Sequence, residues 1–198
     1  DAVSLDLYYD NGSLAPTSLR VENNGGTRNL TWQTPALGEP IYLRWHDGNC
    51  YDAAGQPNGG AFFAGVNWFA EDLKDYGHLA LSDVEVYINQ VPDALYVLVY
   101  QNNTLVRQQF VPSLKEYAFN TIHLNEPLPI DPTKSLRVAV YVEHNEITAP
   151  LGYDKGPARS GRGDLYSSDG TSWSTMEDSG ADIDANWNIS IGLSPYSP

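Results

Sequence analysis

The chain contains a single cysteine, Cys50, in 198 residues. One thiol excludes an intramolecular disulfide, the usual staple of secreted eukaryotic domains, whereas a bacterial surface or periplasmic protein needs none. Basic side chains are also scarce: 11 Lys and Arg face 25 Asp and Glu, leaving a net charge of −14 and a sequence pI near 4.4. A field of that sign repels nucleic acid and anionic membranes, so neither is an expected partner, and it attracts cations, Ca²⁺ among them. No apolar run approaches the ~18–20 residues of a membrane span. No basic-then-apolar leader opens the chain at Asp1, as expected of a trimmed mature fragment whose leader or anchor lies elsewhere.

What the chain does have is aromatic: 13 Tyr and five Trp within a 41% hydrophobic composition. Such residues suit strands and exposed binding faces. The length fits one large β domain able to bury a core without staples. Val84, Val86 and Ile88 alternate with Asp83, Glu85 and Tyr87. Leu136, Val138, Val140 and Val142 alternate with Arg137, Tyr141 and Glu143. A period of two with one apolar face means sheets packed on a shared core. Further strands are expected over 41–45, 61–69, 96–101, 105–110 and 187–193, with Asn102 and Asn103 as a tight hairpin turn. Residues 47–60 read as a polar, glycine-rich loop. Phe69, Leu73 and Tyr76, spaced i, i+4, i+7, predict one or two helical turns, with Gly77 as a left-handed stop.

The motifs of common hydrolases are missing. Gly156-Pro-Ala-Arg-Ser-Gly161 has the wrong spacing for a nucleophile elbow, and His46, His78, His123 and His144 are scattered rather than paired on a helix. His46 precedes Cys50 by four residues, but in a polar loop without helical pattern, where an idle thiol is the plainer reading. Glu85 and Glu143 sit on strands at positions expected to face solvent. No catalytic residue is assigned.

Binding is better supported. Between Ser167 and Trp187 lie five acids and no Lys or Arg. Uncompensated like charges favour a screening cation, so Asp178, Asp182 and Asp184 are the candidate ligands of a structural Ca²⁺; a merely hydrated loop is the plain alternative. Asp47-Gly-Asn49 with Asp52 is a second such loop. Sugar recognition needs flat aromatics exposed beside amides and carboxylates, and Trp173, Tyr166 and Tyr153 lie where side chains can project. Trp187, inside Asn-Trp-Asn-Ile, reads as core; Trp173 reads equally as core cap or as sugar platform. Arg162-Gly163-Asp164 spells an integrin-type tripeptide, taken as coincidence.

Four segments together carry a family likeness: the Ile130-Asp131-Pro132 turn, the run Gly152-Tyr-Asp-Lys-Gly-Pro-Ala-Arg-Ser-Gly-Arg-Gly-Asp164, Asp169-Gly-Thr-Ser-Trp173 and Asp184-Ala-Asn-Trp-Asn-Ile189. Their order resembles the jelly-roll β-sandwich modules of secreted and surface proteins of Bacteroidetes, which accompany peptidases and adhesins. Residues 15–35 resemble the first two strands of a fibronectin type III domain, which in such proteins leads into the jelly roll. The resemblance implies an all-β, jelly-roll-like antiparallel β-sandwich with one or two short helical turns, forming one domain. Within it, residues 1–36 are the strand pair, 37–193 the jelly roll and 194–198 a linker tail to a further domain. It implies an extracellular or cell-surface adhesion module recognising glycan or a host surface protein. The alternatives are an enzyme fragment or a spacer. A bacterial source would leave the sequons at Asn11, Asn29, Asn102 and Asn188 unused.

Overall fold

The computed structural model describes residues 2–8, 14–22, 40–145, 148–181 and 183–195. Strands β1 (Ala2–Tyr8) and β2 (Leu14–Glu22) pair antiparallel as their own two-stranded ladder. Of the two fibronectin-like strands expected over 15–35, the second lies outside the described residues.

From residue 41 onward the chain is an all-β sandwich, as its alternating strands predict. The first sheet takes β5 (Gly60–Trp68), β7 (Ala94–Gln101), β8 (Thr104–Phe110), β10 (Leu136–His144), β12 (Leu165–Ser167) and β13 (Ser174–Thr175), in the order β13-β12-β5-β10-β7-β8. The second takes β3 (Ile41–Arg44), β4 (Asp52–Ala54), β6 (Leu79–Ile88), β9 (Ala118–Pro129), β11 (Leu151–Tyr153) and β14 (Ile189–Pro195). Its order is β3-β14-β6-β11-β4, with β9 also paired to β6. All pairings between these strands are antiparallel, and most connections cross from one sheet to the other.

The core lies between the sheets. Phe62, Ala64 and Val66 of β5 and Val138, Val140 and Val142 of β10 meet Val84, Val86 and Ile88 of β6 and Ile189, Ile191 and Leu193 of β14. Burying each large apolar side chain contributes about 1.5–3 kcal/mol, and the conformational entropy of ordering the chain opposes the sum. Asn102 and Asn103 adopt φ of 45° and 65° in the two-residue turn between Gln101 and Thr104, the left-handed geometry that matches strand twist.

The helix expected at this point is present as a single turn, α1 (Ala70–Leu73). Other local expectations are corrected. Gly77 is not left-handed; instead the Pro132 ring approaches it so closely that an added Cβ would lie 3.1 Å from Cγ. Leu73 is buried, while Phe69 stays outside the core. The loop over 47–60 contains β4, because Asp52–Ala54 pairs with β11. Ser194 and Pro195, expected in a linker tail, still pair with Ala80 and Leu79.

Candidate functional site

Strand alternation sends one set of side chains into the core and the other out of the sandwich. On the outer side of the first sheet the outward set is aromatic. Phe63 on β5 stands opposite Tyr141 on β10, Tyr141 opposite Tyr96 on β7, and Tyr96 opposite Phe110 on β8. Four neighbouring strands thus carry one ring each in a single cross-strand row. Successive centroids are 5.0, 6.0 and 5.2 Å apart, with interplanar angles of 59°, 63° and 53°. Tilted contacts of this kind are favourable for aromatic pairs.

The next row along the strands is small or aliphatic over Gly65, Ala139 and Leu98 and ends on polar Gln108 at the edge strand. The row after it brings Arg137 opposite Tyr100, with Tyr100 opposite Leu105. The low middle row forms a trough between two taller walls. Trp173, from the loop between β12 and β13, lies over the Gly65 end. A Cβ at Gly65 would sit 2.8 Å from Trp173 Cζ3, so only glycine admits the indole there. Trp173 meets Phe63 at 6.3 Å and Tyr100 at 5.9 Å, both edge-on, and the Arg137 guanidinium at 4.7 Å. Asn103, Asp169 and Thr171 join these groups around a groove of ≈ 430 Å³. Tyr96, Tyr141 and Trp173 are half-buried and Phe110 is 50% exposed.

The three aromatic residues proposed from sequence do not converge. Trp173 heads the outer groove. Tyr166 stands opposite Ala64, on the core-facing side, stacks on Phe62 at 6.2 Å and accepts a hydrogen bond from Gln56 Nε2 at 2.7 Å. Tyr153 packs against the core beside Trp187. Trp187 is 2% exposed and donates from Nε1 to the Leu165 carbonyl, as the core reading expects. The outer row itself was missed, although Tyr96 and Tyr141 at outward strand positions were its visible signal.

Asp178 and Asp184 are exposed, and Asp182 lies outside the described residues. Asp184 Oδ1 accepts the Ala158 N–H at 2.7 Å, while Asp178 lies within a π turn, Glu177–Ala181, and donates its N–H to Thr175 Oγ1. Among the described residues no three His, Cys, Asp or Glu side chains converge as a metal site. In the second acidic loop, Asp47 Oδ1 accepts the Asn49 N–H and Asp52 Oδ1 accepts the Ala53 N–H.

The Gly/Asp-rich run is a scaffold rather than a display. Buried Asp154 accepts the N–H groups of Gly156 and Asn186 and the Asn186 side-chain amide. Buried Asp164 accepts the Gly161 N–H at 2.8 Å, and burial pushes its pKa up. Arg162 lies over Trp45 and Phe69 and pairs with Glu71 and Asp72. The Arg-Gly-Asp tripeptide is therefore folded inward. Asn188 is fully buried, so its sequon is closed in the folded state.

The outer side of the second sheet is mixed: Tyr87 and Phe119 stand opposite each other at 5.2 Å, Phe119 stacks on His46 at 5.6 Å, and a polar cluster lies alongside. Ser82 is the extra residue of a bulge against β14, where Gly192 pairs with Asp83 and Leu193 with Leu81. Gly192 leaves room for Asp83, since a Cβ there would lie 2.8 Å from Asp83 Cβ. Asp83 is 3% exposed, accepts Ser82 Oγ–H at 2.6 Å and holds Nδ1 of exposed His123. An ionised carboxylate only accepts, so Nδ1 carries the proton. Beside it His46 Nε2 meets Ser190 Oγ at 2.9 Å, and Ser190 Oγ donates to Glu85 Oε2 at 3.4 Å. This chain does not activate the serine: Nδ1 accepts the Gly48 N–H, so Nε2 is the protonated nitrogen and donates to Ser190. Burial and nearby Arg44 lower the His46 pKa from 6.5 to about 4, keeping the ring neutral. Cys50 makes no contact with His46; its Sγ–H donates to the Asp52 carbonyl, and burial raises the thiol pKa.

No helix among the described residues is long and apolar enough to cross a membrane. The chain matches no protein-family model, no curated protein and no solved structure.

Proposed function

We infer that this domain is an extracellular or cell-surface binding module that recognises glycan through the outer face of its first sheet, as an accessory part of a larger secreted protein. One observation carries the reading: four rings in cross-strand register stand beside a groove headed by Trp173. Rings fixed on paired strands lose little freedom when a ligand docks. Their faces complement the C–H faces of pyranoses, while Asn103, Thr171 and Arg137 supply groups that orient hydroxyls. A structural Ca²⁺ at the loop carrying Asp178, Asp182 and Asp184 would screen its like charges and stabilise the module.

A broad glycan array, run with Ca²⁺ and again with a chelator, tests the reading. Specific sugar binding is expected, insensitive to the chelator and lost in a folded Trp173→Ala variant. A blank array, or capture of matrix proteins that free sugars do not displace, contradicts it.

A further inference from the structure

The groove has one closed end, and its charge is unusual for this chain. Trp173 lies over Gly65 and bounds the groove there, while its lining extends across Leu98 and Tyr100 to Leu105 on edge strand β8. A ligand therefore enters from the β8 side and reaches Trp173 with its terminus. Arg137 stands at that closed end, half-buried. Its guanidinium carbon lies 4.7 Å from the Trp173 centroid and 5.8 Å from that of Tyr100, and Nη2 donates to Asn103 Oδ1 at 2.8 Å. Its buried Nε has no partner.

Among the described residues no carboxylate pairs with Arg137, whereas Arg107 and Lys134 each hold one and Arg162 holds two. Asp169 is the other charge lining the groove, but Oδ1 already accepts the N–H groups of Thr171 and Ser172 at 2.7 Å each. Those bonds hold the Asp169 pKa well below the usual carboxylate range, and burial lowers that of Arg137. An incompletely solvated cation without an anion is costly. Among the described residues Arg44, Lys74, Lys115, Lys155 and Arg159 also have no carboxylate within 4 Å, but each is exposed to water, whereas Arg137 is half-buried.

We propose that the Arg137 end of the groove is a subsite for the carboxylate of an acidic sugar, a uronic or sialic acid at the terminus of a glycan. This rests on the glycan reading above and adds the class of the terminal unit. The guanidinium fork matches a carboxylate, and the flanking rings supply the stacking surface that a pyranose needs and an acidic peptide side chain does not.

Calorimetric titration of the intact domain decides it, with sialyllactose and a trigalacturonide as acidic probes, their methyl esters, and lactose. At least one acidic probe is expected to bind about tenfold tighter than its ester, the value of one charge-assisted contact. Arg137→Gln should erase that difference, and added salt should weaken the acid but not the ester. The ester comparison uses the unmodified protein, so it stands even if the variant misfolds. Esters or lactose binding as tightly as the acids would overturn the carboxylate subsite and leave the glycan reading intact. Binding of none of the sugars, or Arg137-dependent binding of an acidic peptide instead, would overturn both.

Discussion

The two outer faces of the sandwich are made from the same alternating antiparallel strands, yet they resolve their outward side chains in opposite ways. On the first sheet, Phe63, Tyr141, Tyr96 and Phe110 form an apolar row across four strands, with one half-buried cation, Arg137, left without a counter-charge. On the second sheet, Asp83 pairs with His123, His46, Ser190 and Glu85 form a separate hydrogen-bonded chain, and the rings present there, Tyr87 and Phe119, pack on each other and on His46. The polar face satisfies itself; the aromatic face offers rings and a guanidinium that a ligand would complete. Self-satisfied polar groups gain little from a partner, whereas rings and an unpaired cation gain from desolvation and from an anion.

The shared core gives the largest effect and the coarsest control. Trp187→Ala removes a side chain that packs against Phe62 at 6.3 Å and hydrogen-bonds the Leu165 carbonyl. It should cost about 3–5 kcal/mol in a urea melt and damage both faces together. A loss confined to one face would mean that the sheets are not coupled through this core.

Acid should separate the faces with a smaller effect. His46 belongs to the polar face, and its folded pKa of about 4 lies below the ordinary 6.5. Burial and Arg44 depress it, against the opposing pull of Asp154 and Asp47. A depressed histidine contributes stability that is complete above 6.5 and is lost as pH falls through about 4. Thermal midpoints measured across that window should fall with acid, and His46→Gln should flatten the slope. A wild-type midpoint independent of pH there would contradict the neutral, buried imidazole.

What the sequence made legible was local. Alternation in Leu136–Val142 predicted a core strand, the Asn102-Asn103 pair predicted its hairpin, and Trp187 among asparagines predicted a buried indole. Each depends on neighbours a few residues away. The aromatic row was not legible because register joins Phe63 to Tyr141 and Tyr141 to Tyr96, strands far apart in the chain. Gly77 misled for the same reason: a distant proline, not a helix stop, explains it. Trp173 was found but its company was not, since Tyr166 lies only seven residues before it yet faces the core.

The most direct test of the central claim is a backbone-amide NMR titration of the intact domain with the oligosaccharide it retains on the array. Shifts gathered on Phe63, Tyr96, Arg137, Tyr141, Thr171 and Trp173, with the Trp173 indole among them, are the predicted result. Shifts gathered instead on Glu85, His123 and Ser190 would place recognition on the polar face and contradict the account.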